Sequence, residues 1–171
     1  MKSPSPTSTS RAITVTGLVN GTSYTFRVAA KSDLGQSASY SPVSAAVIPL
    51  GPPAKPTGLT ATRGNGSALL SWNALTDADA GGSTVAKYLI QRSTDGTTWS
   101  SVTWPAGVAA TSTQNVPVTG LVNGTLYYFQ VAARSAANMT GLWSGSASAT
   151  PATVPGTVAA APVGTRGDKS E

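Results

Sequence analysis

The stretch "TGLVNGTLYYFQVAARS" at residues 119–135 repeats, with four changes in seventeen, the stretch "TGLVNGTSYTFRVAAKS" at residues 16–32. Sliding the chain against itself by 103 residues extends the match, so that Tyr40 and Ser41 lie over Trp143 and Ser144. Within the block the residues alternate: Tyr127, Phe129 and Val131 point one way, as do Tyr24, Phe26 and Val28, while Thr25 and Arg27 point the other. Period two over this length predicts a strand with one buried face. The Asn-Gly pairs at 20–21 and 123–124 just before it supply a turn, because they adopt positive φ readily. A period near 100 exceeds the ~20–50 residues of solenoid repeats and matches a small β-sandwich of about 100 residues.

The residues between the copies fit that size. Pro52, Pro53 and Pro56 mark a boundary, since proline cannot join a ladder and stiffens a junction. Beyond it come the short strand "TGLTAT", the turn "RGNG" and "SALLSW", in which Ala68, Leu70 and Trp72 share a face. A polar loop, "TDADAGGST", precedes "AKYLIQRS", where Tyr88 and Ile90 alternate with Leu89 and Gln91. The turn "TDGT", an extended "TWSSVTW", and "TQNVPVTGL" with Val116 and Val118 lead into the repeated block. The segment "GLWSGSASATP" makes a last strand closing at Pro151. Seven short strands at turn spacing, without helical periodicity, predict an all-β antiparallel sandwich.

Trp72, Tyr88 and the run L-x-x-G-T-x-Y-x-F-x-V-x-A from Leu121 to Ala133 together resemble the fibronectin type III repeat, an immunoglobulin-like β-sandwich. The resemblance spans residues 51–151 as a complete domain. Residues 1–50 correspond to the last three strands of a partial repeat, and 152–171 to a linker and the start of a further one. It implies a structural core of Trp72, Tyr88, Leu121, Tyr127 and Phe129, with Tyr127 as a tyrosine corner whose hydroxyl bonds an upstream backbone group. A half-sandwich of ~50 residues rarely buries enough to offset chain entropy, which suggests a window on a longer tandem array.

Composition narrows the chemistry. The chain has 171 residues and no Cys, so no disulfide supports the fold; with His also absent, zinc and copper lose their commonest ligands and no cofactor or metal is expected. Eleven Lys and Arg against six acids give +5, but the basic residues are scattered singly, which argues against a nucleic-acid surface. The N-terminus runs through Pro, Ser and Thr where a secretion signal needs an apolar core, and no run approaches the ~18 apolar residues of a membrane span. Without His there is no His-based triad, and the carboxylates show no acid/base pairing, so the chain is read as non-enzymatic.

Binding candidates remain. Trp99, Trp104 and Trp143 would serve a carbohydrate-binding module if exposed, since indoles stack on sugar rings or partner surfaces. Alternation makes at least one of them a rim residue of the core. Arg166, Gly167 and Asp168 spell a tripeptide that, in the family the chain resembles, is an adhesion ligand; here it falls in the first turn of the incomplete repeat, and Gly-Asp is also an ordinary turn pair. Asn20, Asn65, Asn123 and Asn138 begin glycosylation sequons, three of them Asn-Gly turns. Asp77 and Asp79 offer two carboxylates, short of the oxygens calcium takes. The expectation is a spacer or protein- or glycan-binding unit, monomeric or part of a longer array, in an extracellular, cell-surface or virion protein. A domain accessory to a polysaccharide-degrading enzyme is a further alternative.

Overall fold

The computed structural model describes residues 12–33, 35–36 and 39–153. A small hairpin, β1 (Lys31–Ser32) with β2 (Gly35–Gln36), lies in the first segment. Seven strands follow: β3 (Thr60–Gly64), β4 (Ser67–Ser71), β5 (Val85–Ser93), β6 (Ser100–Val102), β7 (Val116–Thr119), β8 (Tyr127–Ser135) and β9 (Ala147–Ala149). They form two antiparallel sheets, ordered β3-β4-β7 and β6-β5-β8-β9, and the chain crosses from one to the other after β4, β6 and β7, giving a β-sandwich.

Alternation places the core between the sheets. Ala68 and Leu70 of β4, Val116 and Val118 of β7, Tyr88 and Ile90 of β5, and Phe129, Val131 and Ala133 of β8 are all buried. Trp72 stands one residue past β4 but keeps its parity; its backbone N–H donates to Thr113 O at 2.9 Å, and its indole lies in the same core. The ring meets Tyr88 edge-on at 5.2 Å, a preferred aromatic geometry. Leu121 and Tyr127 close one end of the sandwich, and the Tyr127 hydroxyl accepts the Val122 N–H at 3.3 Å.

Where β3 turns into β4, Gly64 pairs with Ser67 across Asn65 and Gly66, and Gly66 takes φ +56°. The "TDADAGGST" loop contains one turn of 3-10 helix at Asp77–Ala80, ending on Gly81 in the left-handed region. Sequence periodicity gave no sign of it, because a single turn has no period to read.

The described residues between 12 and 50 reproduce several bonds of the second copy without its burial. The Val19 N–H donates to the Tyr24 hydroxyl at 3.0 Å, the equivalent of Val122 and Tyr127. Ser41 N–H donates to Val28 O at 2.8 Å, as Ser144 N–H does to Val131 O at 2.8 Å. Tyr24 stacks on Phe26 at 6.5 Å, as Tyr127 does on Phe129 at 6.4 Å. The strand expected over Tyr24, Phe26 and Val28 is nevertheless reduced to a single bridge, Tyr24 to Val47, and its inner face is not buried. Ile13, Val15 and Val28 stand exposed because no described strand covers them, whereas their counterparts Val116, Val118 and Val131 are buried in the core between the two sheets.

Candidate functional site

The three tryptophans singled out as binding residues are not brought together. Trp104 lies edge-on to Trp72 at 6.5 Å, and its Nε1–H donates to Val108 O at 3.0 Å. Its ring and its donor thus serve the rim of the core, against which the half-buried side chain packs. Trp99 and Trp143 are half-buried, one just before β6 and the other a few residues before β9. In the order β6-β5-β8-β9 these are opposite edges of the sheet, so the two indoles offer two separate apolar spots and no common platform.

The sandwich ends carry ordered turns. Asp95 organises the turn between β5 and β6: Oδ1 accepts the Thr97 N–H at 2.8 Å, the Thr98 N–H at 2.7 Å and the Ser93 hydroxyl at 2.7 Å, while Oδ2 accepts the Thr98 hydroxyl at 2.8 Å. These donors, the Thr98 backbone N–H first, hold its carboxyl far below the usual carboxylate range. Asp79 Oδ2 accepts the Thr76 hydroxyl at 2.6 Å and the Thr76 N–H at 3.2 Å, a capping box that lowers its pKa and fixes the 3-10 turn. Among the described residues, no group of three or more His, Cys, Asp or Glu side chains could hold a metal ion.

The sequon asparagines have local work. Asn123 accepts the Gly66 N–H at 2.8 Å and donates its amide to Asn65 Oδ1 at 2.9 Å, tying the turn before β8 to the β3–β4 turn. Asn138 adopts φ +69° in the turn after β8. Arg166, Gly167 and Asp168 lie outside the described residues, as does the expected start of a further repeat. Among the basic residues, Arg27 sits over the Tyr40 ring at 4.1 Å and Arg92 approaches Tyr127 at 5.9 Å.

Sequence reasoning missed one feature, an open polar cleft of about 560 Å³ where the first segment meets the second. Asn20, Gly21 and Thr22 line one side; Asp77, Gly82 and Thr84 are among those on the other. Its only signal in the sequence is the adjacent pair Gly81-Gly82, two small residues at the end of a polar loop.

The family model described as "Fibronectin type III domain" matches residues 54–150. Among solved structures, an Fn3-like protein from Clostridium thermocellum is 28% identical, covering 62% of this chain and 100% of its own, with a TM-score of 0.44. The FN1–FN3 domains of chicken CNTN1 are 23% identical over 61% of this chain and 35% of theirs, with a TM-score of 0.51, a likeness of fold alone. A beta-1,2-glucanase from Parabacteroides distasonis matches 63% of this chain and 14% of its own at 21% identity and a TM-score of 0.46. No curated protein matches the chain.

Proposed function

Since the chain belongs to the fibronectin type III family, we propose that it serves as a non-catalytic spacer module of a tandem array within a larger extracellular, cell-surface or virion protein. Domains of this family are generally non-catalytic modules and occur in extracellular proteins. Among the described residues, no helix is long and apolar enough to cross a membrane.

The observation that carries the reading is the repeat itself. Residues 12–50 hold the tyrosine-hydroxyl bond, the serine-backbone bond and the stacked aromatics of the second copy at matching positions. A chain that spells the same half-sandwich twice, joined through a proline-rich boundary, is organised for stringing domains end to end. In this reading residues 51–151 are the complete unit and residues 1–50 the closing strands of the unit before it.

Half-buried Trp99 and Trp143 favour glycan binding as the second reading. Affinity electrophoresis of the full chain through gels containing cellulose derivatives, xylan, chitin derivatives or β-glucans separates the two. A spacer runs unretarded in every gel. Retardation that disappears on Trp99→Ala or Trp143→Ala would replace the spacer by a carbohydrate-binding module.

A further inference from the structure

We propose that the turn at residues 20–21, the linker at 51–54 and the loop at 77–82 form a rigid joint that fixes the angle between successive repeats. Domains within one chain move relative to each other by default unless a substantial contact holds them. Here the contact is backbone on backbone. The Gly51 N–H donates to Gly81 O at 2.9 Å and the Ala54 N–H to Asp79 O at 2.7 Å, so the linker is bonded along the 3-10 loop of the second repeat. Gly51, Pro53 and Pro56 are buried in this seat, which makes the linker part of the fold and not a tether.

Three glycines show how closely the parts fit. A Cβ on Gly81 would lie 2.2 Å from Gly51 O, one on Gly82 2.3 Å from the Gly21 nitrogen, and one on Gly141 2.3 Å from Pro53 O. Each obstacle is backbone, which cannot swing aside as a side chain does. The loop on which Gly81 and Gly82 stand is itself held by the Asp79 capping bonds to Thr76, and Ala80, between Asp79 and Gly81, is fully buried. The loop that the sequence presents as two carboxylates and two glycines is thus a socket, with the carboxylate of Asp79 bracing it.

The repeat supplies its own control. Gly124 occupies in the second copy the place of Gly21, with φ +83° against +80°, yet nothing lies within 4 Å of a Cβ added there. Asparagine tolerates this left-handed conformation better than other side chains, so Gly124→Asn reports the backbone cost alone and Gly21→Asn adds obstruction of the joint.

The test uses the full chain, which has no Cys, so that Thr25→Cys and Ser101→Cys place two spin labels without competition on exposed sites either side of the joint. The expected result is one narrow distance distribution in the parent and in Gly124→Asn, and a distribution at least about twofold broader in Gly21→Asn. Amide hydrogen exchange at Gly51 and Ala54 gives the second reading: slow in the parent and at least about tenfold faster in Gly21→Asn. A broad distribution in the parent, a width indifferent to Gly21→Asn, or fast exchange at both amides in the parent would each overturn the joint. The proposal rests on the array reading, but a loose joint would leave a flexible spacer standing, whereas glycan retention would change the function without loosening the joint.

Discussion

Val28 and Val131 stand 103 residues apart at the same place in the same strand pattern, and each carbonyl accepts a serine N–H at 2.8 Å, yet Val131 is fully buried and Val28 is 62% exposed. Local sequence has set the backbone alike in both, and what differs is the sheet opposite. Val131→Ala should therefore cost about 2 kcal/mol through lost transfer energy and the cavity left behind, while Val28→Ala should stay within about 0.5 kcal/mol. Urea unfolding followed by tryptophan fluorescence measures both. Equal losses would mean that the face of Val28 is covered in solution.

The tyrosine hydroxyls divide in the same way. Tyr127→Phe removes the acceptor of the Val122 N–H at the edge of the core and should lower the stability of the main transition by about 1 kcal/mol. Tyr24→Phe removes the same bond at an exposed turn and should leave that transition unmoved. Denaturant midpoints at constant m-value decide the comparison.

Trp72 is the largest buried side chain, in edge contact with both Tyr88 and Trp104. Trp72→Ala should destabilise by about 3–5 kcal/mol, whereas Trp99→Ala, outside the core cluster, should change stability by no more than about 0.5 kcal/mol. Thermal unfolding monitored by circular dichroism would show the first as a large fall in Tm. A comparable fall for Trp99→Ala would place that indole in the core.

The Asp95 carboxyl is held below the ordinary carboxylate range by the Thr98 N–H, the Ser93 hydroxyl, the Thr97 N–H and the Thr98 hydroxyl, in that order. In the unfolded chain the same group titrates near about 3.9, so on acidification the unfolded state takes up the proton first. The stabilisation due to Asp95 is thus complete above that range and lost as pH falls through it toward the lower folded value. The Tm difference between the parent and Asp95→Asn should hold steady from about pH 7 to 5 and shrink below about pH 4. A difference independent of pH down to acid unfolding would show that the turn does not depend on the charge.

Alternation, turn pairs and proline boundaries were enough to read seven strands and to put Ala68, Leu70 and Trp72, Tyr88 and Ile90, and Tyr127, Phe129 and Val131 each on one face of their strand, because burial on one face of a strand is written at period two. Strand ends were less legible. The stretches read as strands, "SALLSW" and "GLWSGSASATP", include Trp72 and Trp143, but ladder pairing holds only Ser67–Ser71 and Ala147–Ala149. The tryptophans show the limit most plainly: Trp99, Trp104 and Trp143 look alike in sequence and all are half-buried, and only the edge contact of Trp104 with Trp72 separates a core-edge indole from two outside the core cluster.

The sequence by itself determined the period, the strand and turn pattern and the identity of the core, because these depend on neighbours within a few residues and on which face is apolar. Tertiary structure alone decided which copy of the repeated face is covered and where the linker rests. Covering a face takes strands from another part of the chain, as the β3-β4-β7 sheet does for Val131. Seating a linker takes backbone approach at Gly21, Gly51, Gly81 and Gly82, residues whose missing side chains leave no apolar period from which the contact could be read.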